Sequence, residues 1–305
     1  MNFPGKFSDH ILPHKIHNIN VSFGLEKLNI QFGGTAGNIA YNLSLFGQHP
    51  YVVSQIGHDF KPYQRWLQQQ RVRLQYVRFI ATETCATAHI ITDQRDNQIA
   101  AFHFGAMQQP AVTSLVTRQL AKQLTQPTAL GLLAAGNLSD MLTLAQLYLR
   151  KGVRYILDPG QQTIWLTATQ FKTLLRGAAV LVVNDYELAL IEKKLNTTAK
   201  ALANKLDRLI VTLGDHGANW YVDGKIFKMP IAKPIRVVDP TGAGDAYRAG
   251  VIMGLLYDWD IMTTGQVAAL CATYAIEQYG TQQHRYTRQQ FKKRYYQLFK
   301  KKVAI

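Results

Sequence analysis

Asp239-Pro240-Thr241-Gly242-Ala243-Gly244-Asp245-Ala246-Tyr247-Arg248-Ala249-Gly250 is the stretch from which the rest of the chain is read. Ile235–Val238 leads into it as a strand would, and Val251–Leu256 leads out as the buried part of a helix. The small residues between them let a backbone turn sharply and come close to a ligand. The first-turn amides of the following helix carry the positive end of its dipole, a site for phosphate or a developing oxyanion. Asp245 sets a carboxylate beside that site. Like charges repel, so plain phosphate binding does not call for it, whereas a base deprotonating a nucleophile that attacks the phosphate does. The stretch is not a Walker A loop, because no Lys-Ser/Thr follows the glycines. Nor is it the dinucleotide Gly-x-Gly-x-x-Gly turn, because an Asp stands where a pyrophosphate needs only backbone.

Upstream, the chain alternates strands and helices. Strands are expected at Ala129–Ala134, Arg154–Leu157, Ala179–Val183 and Arg208–Leu213, with helices at Ser114–Leu124, Leu138–Lys151 and Ala168–Arg176. Asn219–Val222 and Lys225–Met229 form a hairpin across Asp223-Gly224, and three helices close the chain near Gly242–Tyr257, Thr264–Tyr279 and Thr287–Phe299. Repeated strand–helix units predict an α/β fold with a mostly parallel sheet covered on both faces, and ligands at the C-terminal ends of its strands. Candidate motifs fall at those ends. Asn184 and Glu187, three apart where a helix starts, suit water-mediated Mg²⁺ binding, since Mg²⁺ keeps several waters; alone they read first as a cap. Gly214 and Gly217, just past a strand, let the backbone run flat against a nucleotide; alone they read as a turn.

Nearer the N-terminus, short apolar runs around Ile16–Phe23 and Leu28–Phe32 read as strands. Gly33-Gly34-Thr35-Ala36-Gly37-Asn38 opens a helix, Ile39 to about Phe46, closed by Gly47. Asn38 there offers both a donor and an acceptor. Tyr51–Ile56 reads as a strand and Pro62–Gln70 as a helix. Ala86–Thr92 and Gln98–Phe104 flank a turn, Asp93–Asn97, as an antiparallel pair, which suggests a small lid sheet beside the main body. The loop Gly105-Ala106-Met107 follows it within reach of the ligand cleft, although Met107 taken alone reads first as plain packing.

At 305 residues and 47% apolar composition the chain holds a substantial core. No apolar run reaches membrane-spanning length, and the first residues lack a signal-peptide core, so a cytoplasmic protein is expected. Cys85 and Cys271 stand far apart without nearby metal-ligating partners, which suits free thiols in a reducing compartment. The formal charge is +15, much of it in Arg285, Arg288, Lys292, Lys293, Arg294, Lys300, Lys301 and Lys302. No nucleic-acid-binding motif accompanies these residues, and a solvated helix face is the expectation.

Taken together, the motifs resemble the ribokinase/adenosine kinase superfamily, the PfkB carbohydrate kinases, from Gly33 to about Thr287. Asp239–Asp245 matches the C-terminal signature, Gly33–Asn38 the N-terminal Gly-Gly signature, Asn184-Asp185-Tyr186-Glu187 the Asn-x-x-Glu element, and Thr212–Gly217 the nucleotide-side loop. The resemblance implies one ribokinase-like three-layer α/β/α domain over residues 1–305, with lid strands at approximately 11–32 and 86–104. It implies ATP-dependent phosphorylation of an alcohol, with Asp245 as base and the amides of Gly242, Ala243 and Gly244 as the anion hole. Asn184 and Glu187 would position Mg²⁺ and the phosphates, and Thr212, Gly214 and Gly217 would line the ATP site. Gly33, Gly34 and Asn38 would hold sugar hydroxyls, with Met107 near the acceptor. Asp239 and Thr241 lie where many members bind a monovalent cation, K⁺ being the candidate. Gly37–Leu43, Asn97-Gln98-Ile99 and Gly105–Met107 resemble bacterial adenosine/nucleoside kinases more than ribokinases. A nucleoside phosphorylated at its 5′-hydroxyl is therefore the expected acceptor, and a ribokinase- or fructokinase-type sugar the alternative. The implied partners are small molecules, with a monomer or a lid-mediated homodimer.

One family feature is missing. The family begins with a buried strand ending in a Gly-x-x-x-x-Asp-like turn whose Asp binds sugar hydroxyls, and Met1–Pro13 contains nothing comparable; Asp9 is not assigned that role. The expectation is a start downstream of the native one. The alternative is a shortened, catalytically impaired relative that binds nucleotides. The mass of the protein from its native source separates the two.

Overall fold

The computed structural model describes residues 1–11, 20–95, 98–126 and 128–305. Strands β1 (Tyr51–Ile56), β2 (Arg73–Phe79), β3 (Thr87–Thr92), β4 (Gln98–His103), β5 (Gly131–Ala134), β6 (Tyr155–Asp158), β7 (Ala178–Asn184), β8 (Arg208–Thr212), β9 (Ala218–Val222) and β10 (Lys225–Met229) alternate for much of the chain with helices. These are α1 (Thr35–Leu45), α2 (Lys61–Gln69), α3 (Ser114–Gln123), α4 (Leu138–Lys151), α5 (Ala168–Leu175), α6 (Asp185–Leu195), α7 (Ala199–Ala203), α8 (Ala243–Leu256), α9 (Ile261–Ile276) and α10 (Arg288–Phe299).

The main sheet runs β10-β9-β8-β7-β6-β5. β5 to β8 are parallel, and β9 and β10 extend the sheet antiparallel. Side chains that alternate along these strands serve two different cores. Ile156, Val180, Val182 and Ile210 point into a layer shared with α1, α8, α9 and α10. Leu157, Leu181, Val183, Leu209 and Val211 point into the opposite layer, with α3 to α7. Residues 178–183 of β7 are buried throughout, which is why this strand reads as an unbroken apolar run. The helices of the first layer approach closely. A Cβ on Gly250 of α8 would lie 2.4 Å from the Ala268 Cα of α9. The parallel pair β1–β2 and the antiparallel ribbon β3–β4 form separate two-stranded sheets among the described residues.

Several sequence expectations are corrected. Ile235–Val238 is not a strand: Ile235 is 85% exposed, and among the described residues the segment's backbone amides bond to Glu277 and Ile276 rather than to a neighbouring strand. Its β-branched residues imitate a buried strand without the cover that makes one. Leu28–Phe32 likewise forms no ladder, and Ile30 is 85% exposed. Of the expected strand Ile16–Phe23, residues 16–19 lie outside the described residues, and 20–23 form no strand. Asp96 and Asn97 of the expected turn also lie outside them. β2 and the short α7 are elements that the sequence patterns did not bring out. The N-terminus packs on the ribbon: Phe3 N–H donates to Thr92 O at 2.9 Å and Thr92 N–H to Met1 O at 2.9 Å. Phe3 and Phe7 pack there around the Phe23 ring. Among the described residues no helix is long and apolar enough to cross a membrane.

The basic C-terminal residues divide. Arg294 forms a two-pronged pair with Glu277, at 2.6 and 2.7 Å, Arg288 donates to Phe46 O, and Arg285 lies over the Trp66 ring. Lys292, Lys293, Lys300, Lys301 and Lys302 are exposed, as a solvated face requires.

Candidate active site

The C-terminal ends of the parallel strands carry the polar residues. Ala134 sits beside Asp158 in the β5–β6 ladder, and Asn184 beside Thr212 in the β7–β8 ladder. Over this edge lies the start of α8. Gly242 caps it at φ +83°, a conformation that residues with a side chain rarely adopt. The first amides of a helix have no intrahelical acceptor, so they are available to an anion. One of them is engaged across the preceding turn, where Ala243 N–H donates to Pro240 O at 3.2 Å.

Asp245, in the first turn of α8, receives a hydrogen bond from Asn38 Nδ2 to its Oδ2 at 2.7 Å. The N-terminal and C-terminal signatures, 207 residues apart in sequence at these two side chains, are therefore in direct contact. Burial pushes the Asp245 carboxyl up to about 6, while the Asn38 bond and the Arg248 guanidinium work against that rise. A carboxylate with this balance is mostly ionised at neutral pH yet basic enough to accept a proton.

Arg248, one turn further along α8, is buried against Asp158. Its Nη2 donates to Asp158 Oδ1 at 2.7 Å and its Nε meets Asp158 Oδ2. A Cβ on Gly244 would lie 2.6 Å from Arg248 Nη1, so the guanidinium lies against the glycine turn. Burial raises the Asp158 and Glu187 carboxyls, and the Arg248 charge opposes both shifts. Neither Arg248 nor Asp158 was singled out from the sequence. The signal was present: Arg248 follows Asp245 by three, on the same helix face, and Asp158 ends a buried strand.

Asn184 and Glu187 form a reciprocal cap. Glu187 N–H donates to Asn184 Oδ1 at 2.7 Å and Asn184 N–H to Glu187 Oε2 at 2.9 Å. The second Glu187 oxygen has no partner among the described residues and could take a water of a hydrated Mg²⁺. Thr212 Oγ1 leans back on Val183 O at 3.4 Å. Gly214 faces open space, whereas a Cβ on Gly217 would lie 2.1 Å from Met229 O, which explains that glycine by packing. Asp239 bridges two loops, its Oδ1 accepting Thr241 N–H and its Oδ2 accepting Gly280 N–H, both at 2.9 Å. Through these two bonds it braces the 239–241 turn against the Gly280 loop.

In the N-terminal signature a Cβ on Gly34 would meet open space and one on Gly33 would lie 3.9 Å from Thr281 Oγ1, while Gly33 O accepts the Tyr63 hydroxyl at 2.9 Å. Asn38 is buried, with both ends of its amide engaged: Oδ1 lies 2.8 Å from Thr281 Oγ1 and 2.9 Å from Gln282 Nε2. Met107 sits in a short 3-10 turn whose carbonyl accepts from Asn137 Nδ2 at 2.8 Å; no hydrogen bond joins it to Asn38 or Asp245 among the described residues. Nothing in the sequence pointed to Tyr63, Trp66, Thr281 or Gln282, because contacts between α2 and a loop some 200 residues later leave no local pattern.

A sequence model described as pfkB family carbohydrate kinase matches residues 12–288. The nucleoside kinase of Methanocaldococcus jannaschii is 28% identical over 269 residues, covering 86% of this chain and 85% of that protein. The solved structure of Burkholderia thailandensis nucleoside kinase in complex with inosine is 29% identical, with a TM-score of 0.85, covering 99% of this chain and 96% of that one. Its complex with ADP and inosine is 31% identical, with a TM-score of 0.83, covering 100% and 93%.

Proposed function

This chain belongs to the pfkB family of carbohydrate kinases, and we propose that it is an ATP-dependent nucleoside kinase acting on the 5′-hydroxyl of inosine, adenosine or a related nucleoside. The observation that carries the reading is the 2.7 Å contact between Asn38 and Asp245. It joins the acceptor-side turn to a carboxylate that burial has tuned to about 6 at the mouth of a helix. The nucleoside kinase structures holding inosine and ADP supply the substrate class.

In this reading Asp245 takes the proton of the 5′-hydroxyl as its oxygen forms a bond to the γ-phosphorus. The bond from that phosphorus to the β–γ bridging oxygen breaks, giving a nucleoside 5′-monophosphate and ADP. The first-turn amides of α8 without an intrahelical acceptor would face the charge that builds on the transferred group, Ala243 N–H having first to leave Pro240 O. Preorganised donors of this kind contribute on the order of 10²–10³ in rate each. Arg248 adds a fixed positive charge against Gly244. Glu187 would hold the hydrated Mg²⁺, which when bound neutralises phosphate charge. No step is assigned to K⁺. Phe102, Phe104 and Met107 offer apolar surface beside the ribbon β3–β4, which in this reading is the lid over the base.

ATP consumption measured with inosine, adenosine, cytidine, ribose and fructose tests the proposal. Turnover with nucleosides is expected. Turnover with ribose or fructose and none with nucleosides would replace it with a sugar kinase, and no turnover with any of them would favour a nucleotide-binding relative.

A further inference from the structure

Asn38 could face Asp245 with either end of its amide, and the two choices have opposite chemistry. An NH₂ group donates to a carboxylate and favours its ionised form, while an amide oxygen favours the protonated acid. Everything that fixes this choice lies away from the reacting atoms. Trp66 of α2 can only donate through its indole N–H, and it donates to Gln282 Oε1 at 2.9 Å. The Gln282 amide therefore presents its NH₂ to the other side. One of those hydrogens goes to the Tyr63 hydroxyl at 2.6 Å, whose own proton is committed to Gly33 O at 2.9 Å. The other goes to Asn38 Oδ1 at 2.9 Å. Asn38 must then turn its NH₂ to Asp245. Thr281 cannot replace Gln282 as the orienting group. Its hydroxyl has one proton and two acceptors in reach, Asn38 Oδ1 at 2.8 Å and Phe32 O at 3.0 Å.

We propose that Gln282 is a positioning residue for phosphoryl transfer: held by Trp66 and Tyr63, it orients the Asn38 amide so that Asp245 is kept as a hydrogen-bond acceptor. The proposal rests on the reading of Asp245 as the base. Each bond in this chain of donors points the same way, so each polarises the next. The sequence is built around it at one further place. A Cβ at Gly37 would lie 2.0 Å from the Tyr63 hydroxyl, so the glycine before Asn38 is what admits Tyr63 to the chain.

The test is the pH dependence of kcat and kcat/KM with inosine and saturating Mg-ATP, in the wild type and in Gln282→Leu, Trp66→Phe and Asp245→Asn. In Gln282→Leu the acid limb is expected to move up by about one pH unit, so that the loss near pH 5.5 is roughly tenfold greater than at pH 8. Trp66→Phe keeps a ring stacked on Tyr41 and is expected to move the limb the same way by less, since Tyr63 still orients Gln282. It also serves as the readout should Gln282→Leu fail to fold. Asp245→Asn is expected to lose on the order of 10²–10⁴ in kcat at every pH. A pH-independent loss in both orienting variants, or a change in KM alone, overturns the relay and leaves Asp245 as the base. Wild-type turnover in Asp245→Asn overturns both.

Discussion

Burial and hydrogen bonding pull the Asp245 carboxyl in opposite directions, and burial prevails, leaving it at about 6. An acid raised in this way is protonated below that pH and unable to act as a base. Log kcat/KM should therefore fall with unit slope as pH drops through about 6, and flatten above about 7. A profile with its acid limb near the ordinary carboxylate value of about 4 would count against Asp245 as the base. Asp245→Asn should lower kcat by on the order of 10²–10⁴ with little change in the affinity for ATP, read by steady-state kinetics and nucleotide binding. Arg248 provides a separate test. Arg248→Met leaves Asp158 charged and buried with no counter-ion, so urea unfolding should report a loss of about 3–5 kcal/mol. Adding Asp158→Leu should restore much of that stability, because a well-packed apolar pair often matches a buried ion pair, but it should not restore activity.

Between residue and molecule, the loop from Gly280 to Tyr286 and the α8–α9 seam bear the most weight. His284 is buried, and Tyr41 donates its hydroxyl to His284 O at 2.5 Å. Asn42 Nδ2 donates to Asn38 O, so Asn42 Oδ1 faces His284 and the imidazole is protonated on Nε2, at 2.8 Å. Burial pushes this histidine down to about 4. In the unfolded chain it titrates near about 6.5, so between those values only the unfolded state binds the proton. Stability is therefore full above about 6.5 and falls as pH drops to about 4, by about 3 kcal/mol from this group. Urea unfolding at pH 7, 5 and 4 should give a flatter dependence in His284→Gln than in the wild type. At the seam, Gly250→Ala sets a methyl against the Ala268 backbone and should cost about 1–3 kcal/mol. The elements whose own residues specify them were legible from sequence. β1 and α4 fall where their patterns ended, and the signature loop opens α8 as its glycines require. Ile235–Val238 and Leu28–Phe32 were misread because an apolar run does not say whether anything covers it. β2 was passed over because it interleaves Arg73, Gln75 and Arg78 with its apolar residues on a small, partly exposed sheet. The site divides the same way. Asp245 and Asn38 stood in their signatures, while Gln282, Trp66 and Tyr63 join them only through contacts that the fold creates.

At the scale of the whole molecule, resistance to opening should follow the layering. β6, β7 and β8 lie between two cores, and residues such as Ile156, Leu157, Val180, Leu181 and Ile210 are fully buried, so their amides open only when the molecule unfolds. The ribbon β3–β4 has no sheet behind it among the described residues. Phe102 and Phe104 pack edge to face at 5.0 Å while remaining exposed, and its additional cover comes from the Met1–Phe7 segment. Such a ribbon opens locally at little cost, as a lid must. Hydrogen exchange should therefore show the slowest amides in β6–β8 and much faster exchange in β3 and β4. Saturation with inosine and ADP should then separate two effects. Global stabilisation, about 2.7 kcal/mol at a hundredfold excess over Kd, slows the amides that exchange through unfolding. Local closure slows β3 and β4 in addition, because their exchange does not pass through global unfolding. If ligand slows β6–β8 and leaves β3 and β4 unchanged, the ribbon is not the lid, and the nucleoside base must be covered by another part of the chain.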